Sequence, residues 1–363
     1  MTRFFAEADC QRSFIEGKTV SVVGYGNQGR AHALNLRDGG VRVVVGLRRA
    51  SPSLKSARSD GLEAAPIADA VSRADVVSLL IPDEAHGQVY EEQVAPAMRP
   101  GAGLCLAHGL SVRFGILKPR RGVDVFMVAP LGAGSLLRQL YTEGAGLPCY
   151  VAVHQDESGS ALPTALAYAW GLGCARSGLL ETTFKDEAEV DLFGEQAVLC
   201  GGVSFLLLRA FNVLVENGYE PAMAYMECVS QLKASADVIH SDGLDGFAKR
   251  VSTPALYGLL TRGNRVIGEE TERAMRRLLR DIQSGGFVKE WLRDGAAGRA
   301  GGAGARFSRL LAAWDALKIH GVGRGLRERP GRSAREGTPG GGKKGRSGRR
   351  HRSGGADSRS GRV

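Results

Sequence analysis

Between the apolar run Val20-Ser-Val-Val23 and a helical stretch through Ala31, Ala33 and Leu36 stand Gly24, Gly26 and Gly29, spaced G-x-G-x-x-G. A strand before and a helix after turn a common glycine pattern into a dinucleotide-binding fingerprint. The first glycine permits a tight turn, the second lets backbone approach a pyrophosphate, and the third lets helix and strand pack closely. The phosphates then meet free N–H groups at the helix N-terminus. Tyr25, Asn27 and Gln28 complete the turn and join the three glycines as cofactor-binding candidates. Further short apolar runs start at Val41, Val76, Gly103, Val123 and Cys149 and alternate with helical stretches. This predicts an α/β fold, a Rossmann-type doubly wound and mostly parallel sheet, over residues 1–182. Ligands of such sheets lie beyond the carboxyl ends of the strands, where Asp83, His86, His108 and Gly134 fall.

The second strand ends in Gly46-Leu-Arg-Arg-Ala-Ser-Pro-Ser53. An acid here would bind ribose hydroxyls. Arg48, Ser51 and Ser53, with Arg49, instead suit a 2′-phosphate, so the expected cofactor is NADP(H).

From Glu181 the pattern changes to long helical runs, predicting an all-α domain over 183–320. Asp191 and Glu195 are four apart and share a helix face; Glu227 and Gln231 repeat the spacing, and a second helix could aim them at the first pair. Oxygen donors from two helices suit Mg²⁺, although such a pair also occurs as a plain solvated face. The segment VSTPALYG, from Val251 to Gly258, reads as a loop between helices. So apolar a helical surface predicts a homodimer or higher homo-oligomer.

The net charge of +10 resides in the tail, where Arg324 to Val363 hold thirteen Lys or Arg against three acids. The body before it is formally neutral. Residues 321–363, rich in Gly, Arg and Ser, have too little apolar surface to fold and are expected to be disordered. Charge alone would allow RNA, but without aromatics to stack on bases the tail argues against nucleic acid. The six cysteines are scattered and no pair has zinc-site spacing, which points to a reducing compartment. With no cleavable leader pattern and no run of spanning length, the chain reads as cytoplasmic, without a membrane partner.

GYGNQGRAHALNLRDGG, VVVGLRRAS, AHG, DVFMVAP, YVAVHQDESG, ETTFKDEAEVDLFGEQAVLCGG and AYMEC together resemble the short bacterial form of ketol-acid reductoisomerase over about residues 12 to 290. The resemblance implies NADP(H), two Mg²⁺ ions and a small 2-hydroxy-2-acyl acid, 2-acetolactate or 2-aceto-2-hydroxybutyrate. An alkyl migration and a reduction then give the dihydroxy acid of valine and isoleucine biosynthesis. It implies that Asp191 bridges the metals, that Glu195 and Glu227 bind one each, that His108 moves protons, and that Ser252 meets the substrate carboxylate. Four departures stand out: Leu131 for a lysine, Gln231 for a glutamate, His86 for a glutamine and Leu256 for an acid. Gln231 weakens the second metal position, and the departures leave open a substrate-altered or noncatalytic NADP-binding paralogue that pairs with an active subunit.

Overall fold

The computed structural model describes residues 2–297 and 304–328. Its centre is a nine-stranded sheet in the order β1-β9-β8-β7-β6-β5-β2-β3-β4. The strands are β1 (Phe4–Phe5), β2 (Thr19–Val23), β3 (Arg42–Leu47), β4 (Glu63–Pro66), β5 (Val76–Leu79), β6 (Gly103–Leu106), β7 (Asp124–Pro130), β8 (Cys149–Gln155) and β9 (Leu179–Glu181). β7 pairs antiparallel with β8, and β1 with β9. The other neighbours run parallel. Central strands covered on both faces must be apolar almost throughout, and β5 and β6 are buried at every residue.

Seven helices serve this sheet: α1 (Asn27–Asp38), α2 (Ser53–Ser59), α3 (Ile67–Ser72), α4 (His86–Val89), α5 (Leu110–Arg113), α6 (Gly134–Thr142) and α7 (Ala161–Gly171). One core layer joins α1, α6 and α7 to the sheet through Leu36, Phe126, Leu137 and Tyr168. A second lies on the opposite face around Val71, Tyr90, Leu104 and Leu117.

The helical part begins with α8 (Phe184–Gly194), which passes through a π turn, Glu195–Leu199, into α9 (Gly201–Glu216). The continuous stretch Phe184–Glu216 has 33 residues and is long and apolar enough to cross a bilayer by length and composition. This corrects the sequence reading, which found no run of spanning length: the stretch carries on through Glu195 and Gln196 in the π turn and through Gly201 and Gly202 at the start of α9. Beyond it come α10 (Pro221–Tyr225), a second π turn (Met226–Ser230), α11 (Leu232–Arg250), α12 (Thr253–Val266), α13 (Glu269–Gln283), α14 (Gly286–Ala297), α15 (Ala305–Asp315) and α16 (Lys318–Arg327).

Two expectations change here. VSTPALYG is no loop, because Ser252 caps α12, its Oγ accepting from the Ala255 N–H at 3.4 Å, and Pro254 sits in the first turn, where its missing donor costs nothing. The expected disorder does not begin at 321. Ile319 is buried against Phe211 and Ala224, and Gly323 lies so close to the Tyr225 ring that a Cβ would come within 2.7 Å of it. Contact with α10 therefore orders α16 as far as Arg327. The rest of the tail, 329–363, lies outside the described residues.

α8 joins the two parts. Leu110, Leu192, Ile282 and Val288 form a shared apolar seam. Beside it, Arg113 of α5 donates to Glu189 Oε1 of α8 at 2.7 and 2.9 Å and to the Gln283 carbonyl of α13 at 3.2 Å.

Candidate active site at the carboxyl ends of the strands

The glycine turn follows β2 and opens α1. Gly24 has φ +102°, and a Cβ there would stand 2.4 Å from the Leu80 carbonyl oxygen. At Gly29 it would stand 2.4 Å from the Gly24 oxygen, whereas at Gly26 it would meet nothing within 4 Å. The turn is thus closed on its protein side and open on the other, and no side chain caps α1. That is a cradle for a pyrophosphate. Gly134 meets the turn from across the crevice, its notional Cβ 2.2 Å from the Asn27 oxygen. Asn27 Oδ1 accepts from the Ser135 N–H at 2.9 Å and Gln28 Nε2 donates to the Gly132 carbonyl at 2.8 Å. Gly134, Asn27 and Gln28 therefore also lock the turn to the β7–α6 loop.

Tyr25 lines a cavity beside the glycine turn with Gly26, Asn27, Arg30 and Asp60. Its ring belongs to the core, and its hydroxyl donates to Asp60 at 2.8 Å, where Arg30 also donates at 2.7 and 2.9 Å. Those bonds, Arg30's first, hold the Asp60 carboxyl well below its ordinary range. At the end of β3, Arg48 and Arg49 are exposed, and among the described residues neither has an ion-pair partner. Ser51 Oγ accepts from the Ser53 N–H at 3.3 Å, which folds the loop back toward α2.

His108 follows β6 and meets α8. Its Nδ1 lies 3.1 and 3.0 Å from the two Glu187 carboxylate oxygens, so Nδ1 carries the hydrogen, and Glu187 also accepts from the Gly109 N–H at 2.7 Å. Only glycine permits this approach, since a Cβ at 109 would lie 2.3 Å from the Phe184 oxygen. The other ring nitrogen, Nε2, stands 3.8 Å from Asp191 Oδ2. Burial works against an imidazolium here, but the Glu187 hydrogen bond and charge, with Asp191 and Asp83, outweigh it and raise the His108 pKa to about 9. Asp191 moves up to about 6, first through burial and then through Glu187, Glu195 and Asp83, with His108 opposing.

Glu187 escaped the sequence reading. It is buried, yet it lies four residues before Asp191, as Asp191 lies four before Glu195, so one helix face carries all three acids.

A cluster with surplus anion and oxygen donors suits a hard cation. Within the chain it is incomplete: among the described residues no three His, Cys, Asp or Glu side chains converge closely enough to hold a metal. The sequence expects a second helix to aim Glu227 and Gln231 at the first pair; among the described residues of a single chain the four do not form such a cluster. Glu227 and Gln231 sit on and just after the second π turn, which packs against α9, α10 and α11; both are exposed, and Gln231 Nε2 donates to Glu227 Oε2 at 2.6 Å. Equal spacing aligned each pair on its own helix but could not orient one helix toward the other. Ser252 is likewise exposed, at the start of α12. Leu131, 45% exposed, follows β7 on the crevice side of the sheet.

The family model for the NADPH-binding domain of acetohydroxy acid isomeroreductase matches residues 14–178, and that for the C-terminal domain of ketol-acid reductoisomerase matches 184–330. Among solved structures, an NADH-preferring ketol-acid reductoisomerase from an uncultured archean is 37% identical, with a TM-score of 0.86 over 90% of this chain and 98% of that one. An oxidoreductase from Jannaschia sp. (16% identity, TM-score 0.56, 73% and 97% covered) shares the fold alone. So does a semialdehyde dehydrogenase NAD-binding protein from Cupriavidus necator (20%, 0.50, 72% and 99%). With its nucleotide-binding and helical parts both matched in order, the chain belongs to the ketol-acid reductoisomerase family.

Proposed function

We propose that the chain is an NADP(H)- and Mg²⁺-dependent ketol-acid reductoisomerase, acting on 2-acetolactate or 2-aceto-2-hydroxybutyrate in branched-chain amino acid biosynthesis, cytoplasmic and at least dimeric. The observation that carries this reading is the clamped imidazole. Glu187 fixes the His108 ring and, with Asp191, favours its imidazolium, which leaves the Nε2–H facing the crevice beside Asp191, where it can give a proton to a substrate oxygen and take it back. Asp191 and Glu195 would hold metal from one copy. Glu227, exposed in the single chain, would complete the set from a second. When bound, Mg²⁺ polarises the carbonyl and hydroxyl oxygens and the nicotinamide supplies hydride. Ser252 would meet the substrate carboxylate. The unpaired Arg48 and Arg49, with Ser51 and Ser53, favour a 2′-phosphate, in contrast to the NADH-preferring relative.

Pairing is supported by an apolar groove of 960 Å³ along α9 and α13, lined by Phe205, Leu206, Val213, Ile267 and Met275. Among the described residues, α9 buries only Phe211. So apolar a face is covered at least cost by another copy of itself.

A second reading, a substrate-altered or noncatalytic paralogue, is favoured by two observations: Leu131 brings no charge to the crevice rim, and the Gln231 amide occupies a Glu227 oxygen at 2.6 Å. NADPH consumption with Mg²⁺ and racemic 2-acetolactate separates the two. Mg²⁺-dependent turnover by the natural protein supports the first. Turnover only in the Leu131→Lys, Gln231→Glu double variant supports the second, and mixed dimers with an active reductoisomerase in native mass spectrometry would extend it.

A further inference from the structure

His86 is buried beside the crevice, and its hydrogen bonds do not fill with the ordinary number of protons. Nε2 lies 3.0 Å from the Ile81 carbonyl oxygen, which only accepts, so Nε2 carries a hydrogen in every state. Nδ1 lies 2.6 Å from Ser111 Oγ, and Ser111 Oγ lies 3.1 Å from Asp83 Oδ1. With neutral His86 and ionised Asp83, the single Ser111 proton faces two contacts. Given to Nδ1, it leaves two oxygens against each other; given to Asp83, it leaves a nitrogen lone pair against the hydroxyl oxygen. One more proton fills every contact. It resides either on His86, with Ser111 donating to Asp83, or on Asp83, with the carboxylic acid donating to Ser111 and Ser111 to Nδ1. Asp83 Oδ1 is also only 3.6 Å from Nδ1, so the two positions are close.

The outer end of this chain opens on a cavity of 340 Å³ shared by Gly26, Asn27, Asp83, His86 and His108. The glycine turn fixes the pyrophosphate and the end of β3 takes the adenosine side, which leaves the β5–β6 side for the nicotinamide. That ring is a cation when oxidised and neutral when reduced.

We propose that His86, Ser111 and Asp83 form a relay holding one exchangeable proton, which is released to solvent when oxidised cofactor binds and retained when reduced cofactor binds. The proposal rests on the nicotinamide site and not on the identity of the substrate. The charges facing His86 are Asp83 and Glu84, which favour its protonation, and His108, which opposes it; on α5, Arg113 is turned away to Glu189. Burial is the larger influence and lowers the His86 pKa, so the relay fills as pH falls below neutrality and a cation arriving at Asp83 empties it. The balance is simple: loaded protein and oxidised cofactor give the complex and one proton.

Calorimetric titrations of the full chain with NADP⁺ and with NADPH, each in two buffers of different ionisation enthalpy, count that proton. At about pH 6 NADP⁺ should release a proton fraction that vanishes by about pH 8, its affinity weakening by up to about tenfold per pH unit as the relay fills, while NADPH releases none. His86→Gln, which keeps an amide donor but cannot take up a proton, and Ser111→Ala, which cuts the chain, should each abolish the difference. Equal proton release with both cofactors would overturn the relay. So would release persisting in both variants, which would assign the proton to His108. If neither variant binds cofactor, the contrast between NADP⁺ and NADPH in the natural protein decides alone; if the natural protein binds neither form, it is the cofactor site that fails.

Discussion

His32 should make this fold acid-sensitive well away from its active site. It lies on α1 with no exposed surface, its Nδ1 3.1 Å from the Tyr168 hydroxyl, which itself donates to Ser78 Oγ at 2.9 Å. The Tyr168 proton is thereby spent, so Nδ1 is the donor, and Nε2 is left without a partner among the described residues. Burial lowers the His32 pKa from 6.5 to about 3. A folded-state pKa below the unfolded value means that the unfolded chain takes up the proton first. Stability is therefore full above about pH 6.5 and is lost as pH falls toward about 3, at roughly 1.4 kcal/mol per unit. At pH 5 the loss from this one ring is on the order of 2 kcal/mol, a large share of an ordinary stability. Urea midpoints for the natural chain and His32→Gln, read by far-ultraviolet circular dichroism from about pH 8 to about pH 5, isolate the effect. Any constant cost of a buried amide cancels in the slope, as do Asp191 and His86, which titrate alike in both proteins. The natural chain should lose stability faster on acidification by that slope; parallel curves would refute the reasoning.

Three further outcomes are expected. Glu187→Gln keeps the shape beside His108 but removes its charge, so turnover should fall by about a hundredfold or more while NADPH affinity changes little; unchanged turnover would remove His108 from the chemistry. Gly134→Ala places a methyl 2.2 Å from the Asn27 oxygen and should cost on the order of 1–3 kcal/mol in thermal unfolding, with weaker dinucleotide binding; an unshifted melting curve would contradict the close approach. Arg48→Ala should weaken NADPH about tenfold or more in fluorescence titration while sparing NADH, and equal losses for both would count against a 2′-phosphate contact.

The sequence was most readable where local sterics and burial agreed. The valine run of β2, the positive φ at Gly24 and the close approach at Gly29 impose strand, turn and helix together. β1, β4 and β9 left almost no trace, because strands of two to four residues at or near a sheet edge gain their pairing from tertiary contact. Ser252 misled because a Ser-Thr-Pro sequence marks both a loop and a helix start. Glu187 was within reach, since it continues the four-residue spacing of Asp191 and Glu195. What concealed it is that its partner, His108, lies 79 residues away. The tail reading went too far inward because Val322 and Gly323 take their order from Tyr225, a contact that composition does not reveal.

The π turn at Glu195–Leu199 sets a phase between two surfaces. Each residue of a helix turns the chain by about 100°, so the extra residue held in this turn rotates all of α9 relative to the acidic face of α8. Deleting one residue there, Ala197 for instance, would restore ordinary helical winding. It would also swing Phe205, Leu206 and Val213 about a quarter-turn away from their present bearing on Glu187 and Asp191. Insertions and deletions in this segment are thus felt as a change of angle between the chemistry and the apolar groove, and a lineage can keep both surfaces intact in sequence and still lose their alignment.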